Sequence, residues 1–217
     1  MSFNLVVPTY TASRLEHMAI TLLKGRLKGP ITVPVDIDYI LEQEPGVLLD
    51  YIPEIKERFG VAGLVYREDH KRFRVIIDAE VADAIRYHNF YRFTVAEEFS
   101  HIKLHRKIIE QITDLETAIE LLQQSEYEAM DRNAKRFAAA ILMPSELVLR
   151  DARELYPGLV KVAGFRNSQA VKDYMASLLS KKYEVSAEAM SYRLNEWPIR
   201  IFDKIDAAMR EKLLFLD

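Results

Sequence analysis

The sequence predicts an α+β protein in which one helix is followed by a small sheet and then by several helices. Apolar residues recur at helical spacing in residues 11–25 and again from residue 89 onward. Between these regions, three blocks are rich in β-branched and aromatic residues, which is typical of strands. The 217 residues are 49% hydrophobic and 29% charged, so the chain has the composition of a globular protein with a sizeable core.

The first helix and the sheet occupy the N-terminal third. Residues 11–25 carry Leu15, Ala19 and Leu23 on one helical face, so we expect a helix there. The strand-like blocks are 46–52, 61–67 and 72–78, and the last two are separated by Glu68-Asp69-His70-Lys71, a plausible hairpin turn. The sequence therefore predicts a small antiparallel or mixed sheet.

The remainder of the chain has helical periodicity. Pro144 should end one long helix, Pro157-Gly158 should end the next, and Ser168 and Ser186 are suitable N-caps for the last two. The expected helices span 89–109, 115–123, 126–143, 145–155, 168–183 and 186–197.

This order of elements predicts two parts. Residues 1–145 would form one domain with the first helix and the sheet, and residues 146–217 a helical C-terminal part packed on it. The pair at 168–197 is similar to a helix-turn-helix, but its four Lys and Arg residues are balanced by four Asp and Glu residues. We therefore expect no direct binding of nucleic acid, for which a basic face is needed.

Composition excludes further classes of protein. The chain has no Cys, so a disulfide framework, a thiol nucleophile and a Cys-ligated metal are excluded, and a metal would need His, Asp or Glu. Its formal net charge is −3. Because the longest apolar run is only 137–143 and the N-terminal residues lack the pattern of a signal peptide, we expect a cytoplasmic protein that does not enter membranes.

The stretch 92–105 contains the candidate chemistry. On a helix, Glu97, His101 and His105 fall at i, i+4 and i+8 and share one stripe, while Glu98 lies beside it. The opposite face carries apolar residues such as Phe99, which would anchor the helix in the core. Convergent donors on a rigid helix suit a metal ion. A Glu and a His at this spacing can also form an ordinary helical salt pair.

Two landmarks in this part of the chain resemble the ImmA/IrrE family of metallo-endopeptidases. The family hallmark is Arg-Phe-Thr-x-Ala-His-Glu-x-x-His, and here Arg92–Ala96 reads Arg-Phe-Thr-Val-Ala. Glu97 stands where the hallmark has its first His, and Glu98 and His101 match the positions that follow. The second landmark is an acidic residue followed by Ala, Phe-Ala and an apolar run ending in Leu-Met-Pro, which residues 131–144 match.

The resemblance implies a zincin-like fold and assigns roles to these residues. It implies that Zn²⁺ is held by Glu97, His101 and Asp131, and that Glu98 is the general base that takes a proton from the metal-bound water before attack on a peptide carbonyl. With one His and two carboxylates the set is harder than the family's own set, so it should hold Zn²⁺ less tightly and suit Mn²⁺ or Fe²⁺ relatively better.

Two alternatives within the site stay open at this point. Ala134 and Ala138 lie on the face of Asp131 and would allow its helix to approach closely, but Asp131 could equally be a solvated acid beside Arg132 and Arg136. The second alternative is a metal site one turn further along, on His101 and His105, where Ile102 would take the place of the general base.

The sequence thus supports two functions. The first is an ImmA/IrrE-like metal-dependent endopeptidase with an altered metal site, acting on a cytoplasmic regulatory protein. The resemblance implies that this partner is a DNA-binding repressor. The second is a pseudo-peptidase in which Glu97 has abolished metal binding, so that the domain binds a partner protein without cutting it.

Overall fold

The structure of the protein is a computed structural model that describes residues 5–163 and 167–213. The predicted α+β class is confirmed: within the described residues the chain forms twelve α-helices and one sheet of three strands. The elements are α1 (Ala12–Arg26), α2 (Ile37–Glu42), β1 (Val47–Ile52), α3 (Ile55–Phe59), β2 (Gly63–Arg67), β3 (Phe73–Asp78), α4 (Ala79–Asp83), α5 (His88–Leu104), α6 (Arg106–Ile109), α7 (Leu115–Leu122), α8 (Tyr127–Leu142), α9 (Ser145–Ala163), α10 (Ser168–Tyr183), α11 (Ala187–Asn195) and α12 (Ile201–Leu213).

The sheet is mixed and has the strand order β1-β3-β2. The predicted hairpin is present, because β2 and β3 are antiparallel, with Gly63 opposite Ile77. β1 is parallel to β3, with Val47 opposite Phe73. A parallel pair cannot be joined by a tight turn, so the chain between β1 and β3 passes through α3 and β2.

Two predicted helix boundaries are wrong. The helix expected over 89–109 ends at Leu104, and a separate short helix, α6, begins at Arg106, because His105 between them leaves the helical conformation with φ −122° and ψ 24°. The helix expected to end at residue 155 continues to Ala163 with Pro157 inside it. Pro157 and Gly158 lie on an exposed face, where a carbonyl that loses its backbone partner can meet water.

The two helices expected after residue 167 are present as α10 and α11, and one of their predicted caps is correct. The hydroxyl of Ser186 accepts a hydrogen bond from the backbone N–H of Ala189, as an N-cap does. Ser168 is not the cap of α10. Asn167 takes that place, and its side-chain oxygen accepts from the N–H of Ala170 at 2.9 Å.

The chain divides into two compact units. One comprises the described residues up to Thr32 together with Asp36–Leu142, and the other comprises Val33–Val35 together with the described residues from Met143 onward. In the first unit, α8 packs against α1 and α5, and α5 also packs on β2 and β3. In the second unit, α10 packs against α9, α11 and α12. None of the described helices has the length and apolar character needed to cross a membrane.

Candidate functional site

Helix α5 is buried on two sides. Its predicted core face is confirmed, since Val95 and Phe99 have no exposed surface and Ile102 is 2% exposed. The polar stripe is also buried, because His101 and His105 are only 2% and 1% exposed. A helix that buries its polar side must place those groups against partners from other elements.

Helix α8 supplies one set of these partners. Ala134 and Ala138 are fully buried on the face that carries Asp131, and α8 packs along α5. Small residues at these positions permit a close approach, as expected from the sequence. The side chain of Asp131 is 24% exposed, and its Oδ2 accepts a hydrogen bond from Nζ of Lys135 at 2.8 Å. Asp131 therefore is not a freely solvated acid.

Glu97, at the position of the family's first His, lies beside Asp131. The two carboxyl groups are within hydrogen-bonding reach of each other. Oε1 of Glu97 is 3.9 Å from Nζ of Lys135, and the Glu97 side chain is 16% exposed. The structure thus brings Glu97 and Asp131 together, and it adds a cation to them that we did not predict.

Glu98, the predicted general base, is buried under strand β2. It is 5% exposed, and β2 passes so close to it that a Cβ atom at Gly63 would lie 2.9 Å from Cγ of Glu98 and 2.7 Å from Cγ2 of Thr94. Only a residue without a side chain leaves room for Glu98 in this position.

The two histidines face each other rather than a common point. Nδ1 of His101 and Nδ1 of His105 are 3.2 Å apart, so one ring donates this hydrogen bond and the other accepts it. When both rings are neutral, the donating ring carries a bare lone pair on Nε2 and the accepting ring carries an N–H there. Both Nε2 atoms are buried without a hydrogen-bond partner among the described residues. His101 also stacks on Tyr127, with ring centroids 5.9 Å apart.

Burial sets the ionisation of these groups. It raises the pKa of Glu98 to about 8, helped by the negative charge of Asp131, and it raises the pKa of Glu97 well above its ordinary value, helped by Glu98. It lowers the pKa of His101 to about 4 and that of His105 to about 3. At neutral pH the imidazoles are therefore uncharged, and both glutamates hold a proton much of the time.

A small cavity adjoins Glu98 and His101. Its volume is about 10 Å³, which suits one water-sized molecule, and Tyr127 completes its polar lining. The rest of the wall is apolar and comes from β2, α6 and α7, including Leu64, Val65 and Leu121. A space of this volume is too small for an extended substrate.

Three residues of the site were missed from the sequence. Lys135 lies four positions after Asp131 on α8, and this spacing, which places two side chains on one helix face, was the available signal. Tyr127 lies one turn before Asp131 and had the same signal. No local signal marked Gly63, because its importance comes from the packing of β2 on α5.

The comparison with known families concerns this same part of the chain. Residues 88–195 match the family model described as Peptidase_M78, IrrE N-terminal-like domain. The chain belongs to the ImmA/IrrE family. The match begins at the start of α5 and ends with α11, so it includes both landmarks. The family is one of metallopeptidase-like proteins. No curated protein sequence matches the chain.

Peptidases of this family are generally zinc enzymes, so the donors must be tested against that metal. Within residues 5–163 and 167–213, no three His, Asp or Glu side chains are arranged so that they could hold a metal ion together. The carboxyl groups of Glu97 and Asp131 lie within hydrogen-bonding reach of each other, His101 is hydrogen-bonded to His105, and the ammonium group of Lys135 lies next to the two carboxyl groups. This arrangement does not fit a zinc ion, and the ligand set Glu97, His101 and Asp131 stays a prediction.

We expect Glu97→His to raise the affinity for Zn²⁺ about tenfold, or 1.4 kcal/mol. Imidazole suits Zn²⁺ well, and the substitution removes one of the three crowded carboxyl groups. The measurement is a calorimetric titration of metal-free protein with ZnCl₂, with Glu128→Gln on the exposed face of α8 as the control. Equal zinc affinity in wild type and Glu97→His would show that residue 97 does not face the metal position.

Proposed function

We propose that the chain is a pseudo-peptidase, which uses its ImmA/IrrE-type domain to bind a regulatory protein without cutting it. The observation that carries this proposal is that the carboxyl groups of Glu97 and Asp131 lie close together, with the ammonium group of Lys135 2.8 Å from Asp131 Oδ2 and 3.9 Å from Glu97 Oε1. These are two of the three ligands that the resemblance implies, and both lie next to a cation that belongs to the protein itself. A carboxyl pair of this kind is stable without an ion, because one proton can be shared between the two groups.

The partner that we propose is a DNA-binding repressor in the cytoplasm. The support is the likeness to the family, together with the charge of the chain itself. A net charge of −3 and a balanced pair of helices at 168–197 give this chain little attraction for nucleic acid, so contact with DNA is left to the partner.

A second function, metal-dependent cleavage of that partner, is favoured by one observation. The buried Nε2 atoms of His101 and His105 have no hydrogen-bond partner among the described residues, and a bare imidazole nitrogen beside Glu98 is a donor of the kind that zinc prefers. For this function a metal ion would have to take the place of the Lys135 ammonium group beside Glu97 and Asp131.

One assay separates the two functions. The protein is incubated with a co-purifying or neighbouring repressor, with Zn²⁺ or Mn²⁺ added, and both cleavage and co-precipitation are measured for wild type, Glu98→Gln and the control Glu128→Gln. For a pseudo-peptidase we expect no fragment from any protein and equal capture by all three. A fragment from wild type that is formed ~10²–10⁴ times more slowly by Glu98→Gln would contradict this and establish the peptidase.

A further inference from the structure

Lys135 lies among the acidic groups of the site. Its Nζ is 2.8 Å from Oδ2 of Asp131 and 3.9 Å from Oε1 of Glu97. It reaches both because it follows Asp131 by one helical turn on α8, the helix that packs along α5. The Lys135 side chain is 54% exposed, so it reaches these carboxyl groups while part of it stays in contact with solvent.

The contact between Lys135 and the acidic groups matters because of the charges in the site. The site holds three carboxyl groups, on Glu97, Glu98 and Asp131, and the first two are 16% and 5% exposed. Buried carboxylates must be protonated or paired with a cation, because they have lost their hydration. The lysine thus contributes the kind of stabilisation that a divalent metal would otherwise supply.

We propose that Lys135 is a built-in counter-ion that takes the place of the divalent metal in this site. A metal could bind Asp131 and Glu97 only after displacing an ammonium group that is covalently attached to the same helix and therefore present at high local concentration. The proposal concerns the same site as the proposed function, but it needs no partner protein. The counter-ion role of Lys135 can therefore be wrong while the pseudo-peptidase function is right, and the function can be wrong while the role of Lys135 is right.

The test uses metal ions alone. Metal-free wild type and Lys135→Met are titrated with ZnCl₂ and with MnCl₂ by calorimetry, and Tm is measured with and without each metal. Met keeps most of the length of the unbranched side chain and removes its charge. We expect Lys135→Met to bind at least one of the two metals about tenfold or more tightly than wild type. Without metal its Tm should fall by about 3 °C, and added metal should restore it.

Two further variants identify the cause. Arg132→Met removes a cation from the exposed side of the same helix, where it pairs with Glu128, and should leave metal affinity unchanged. Lys135→Arg keeps the charge and should behave like wild type. A tenfold gain in Arg132→Met as well would overturn the proposal, because the effect would then be one of net charge. Equal metal affinity in wild type and Lys135→Met would also overturn it.

A double variant covers the case in which Lys135→Met fails to fold. Asp131→Asn/Lys135→Met removes one charge of each sign, so we expect it to melt close to wild type and to bind metal no better. If the double variant is as unstable as Lys135→Met, the lysine acts through its packing and not through its charge, and the proposal is wrong.

Discussion

Replacing Asp151 with Asn is expected to lower the free energy of unfolding by about 3 kcal/mol, the largest loss that we predict for a single residue. Asp151 lies on α9 and is 2% exposed. Its Oδ2 accepts hydrogen bonds from the hydroxyl of Tyr183 at 2.9 Å and from Nζ of Lys182 at 2.8 Å. Its Oδ1 accepts from Nε of Arg150 at 2.9 Å. Asn cannot neutralise the two cations, and its amide turns a donor toward one of the present donors.

The same variant predicts a pH dependence. Burial alone would raise the pKa of Asp151, but the hydrogen bonds from Lys182, Arg150 and Tyr183 outweigh it and hold the pKa below the ordinary value of 3.8. A carboxyl with a lowered folded pKa stabilises the protein fully above its unfolded pKa, and this stabilisation is lost as the pH falls through the folded pKa. The difference between wild type and Asp151→Asn should therefore be constant from about pH 5 to 8 and shrink below about pH 4.

Urea unfolding at pH 7 and near pH 3.5 measures both effects. Asp203→Asn is the matched control, because Asp203 pairs with Arg200 on the exposed side of α12 and its side chain is 52% exposed. Such surface pairs change the free energy of unfolding by less than about 1 kcal/mol. An equal loss in the free energy of unfolding for Asp151→Asn and Asp203→Asn at pH 7 would show that the buried network around Asp151 stabilises the protein no more than a surface ion pair does.

Gly63→Ala is expected to destabilise the protein by about 2 kcal/mol, which is the second largest effect. The added Cβ would lie 2.7 Å from Thr94 Cγ2, 2.9 Å from Glu98 Cγ and 3.0 Å from Glu98 Oε1. Either β2 moves away from α5 or Glu98 leaves its position, and in the second case the carboxyl cluster is disturbed as well. The measurement is the free energy of unfolding in urea.

Gly25→Ala is the control for this variant. Gly25 lies in α1, and no atom lies within 4 Å of a Cβ built on it, so Ala meets no obstacle there. Ala is favoured over Gly in a helix by up to about 1 kcal/mol, so Gly25→Ala should stabilise the protein. If Gly63→Ala and Gly25→Ala change the free energy of unfolding in the same direction, the close approach of β2 to α5 is not what makes Gly63 necessary.

The parts of the fold that were predicted correctly are those with a local signal. The periodicity around Phe99 and the strand-like composition of 61–67 and 72–78 were sufficient for α5, β2 and β3. The short helices α2, α3 and α4 have five or six residues each, too few to show a period, and they were missed. Pro157 is a helix-breaking residue that here lies inside α9, because packing and exposure decide whether the break occurs.

The candidate site shows the same limit. The motif on α5 named Glu97, Glu98 and His101 as candidates, and the motif on α8 named Asp131, since spacing along one helix fixes which residues share a face. The partners that determine their state come from contacts between elements, as with Gly63 of β2. The closeness of the Glu97 and Asp131 carboxyl groups depends on the distance between α5 and α8, which is a property of tertiary packing.

The division of the chain has a consequence for its synthesis. Val33–Val35 belongs to the same compact unit as the residues from Met143 onward, although residues on both sides of that short segment belong to the other unit. During synthesis Val35 emerges from the ribosome more than a hundred residues before Met143. This valine is 1% exposed in the folded protein, so it can be buried only after the rest of its unit has been synthesised. A gene cut between codons 142 and 143 would leave neither product with a whole second unit.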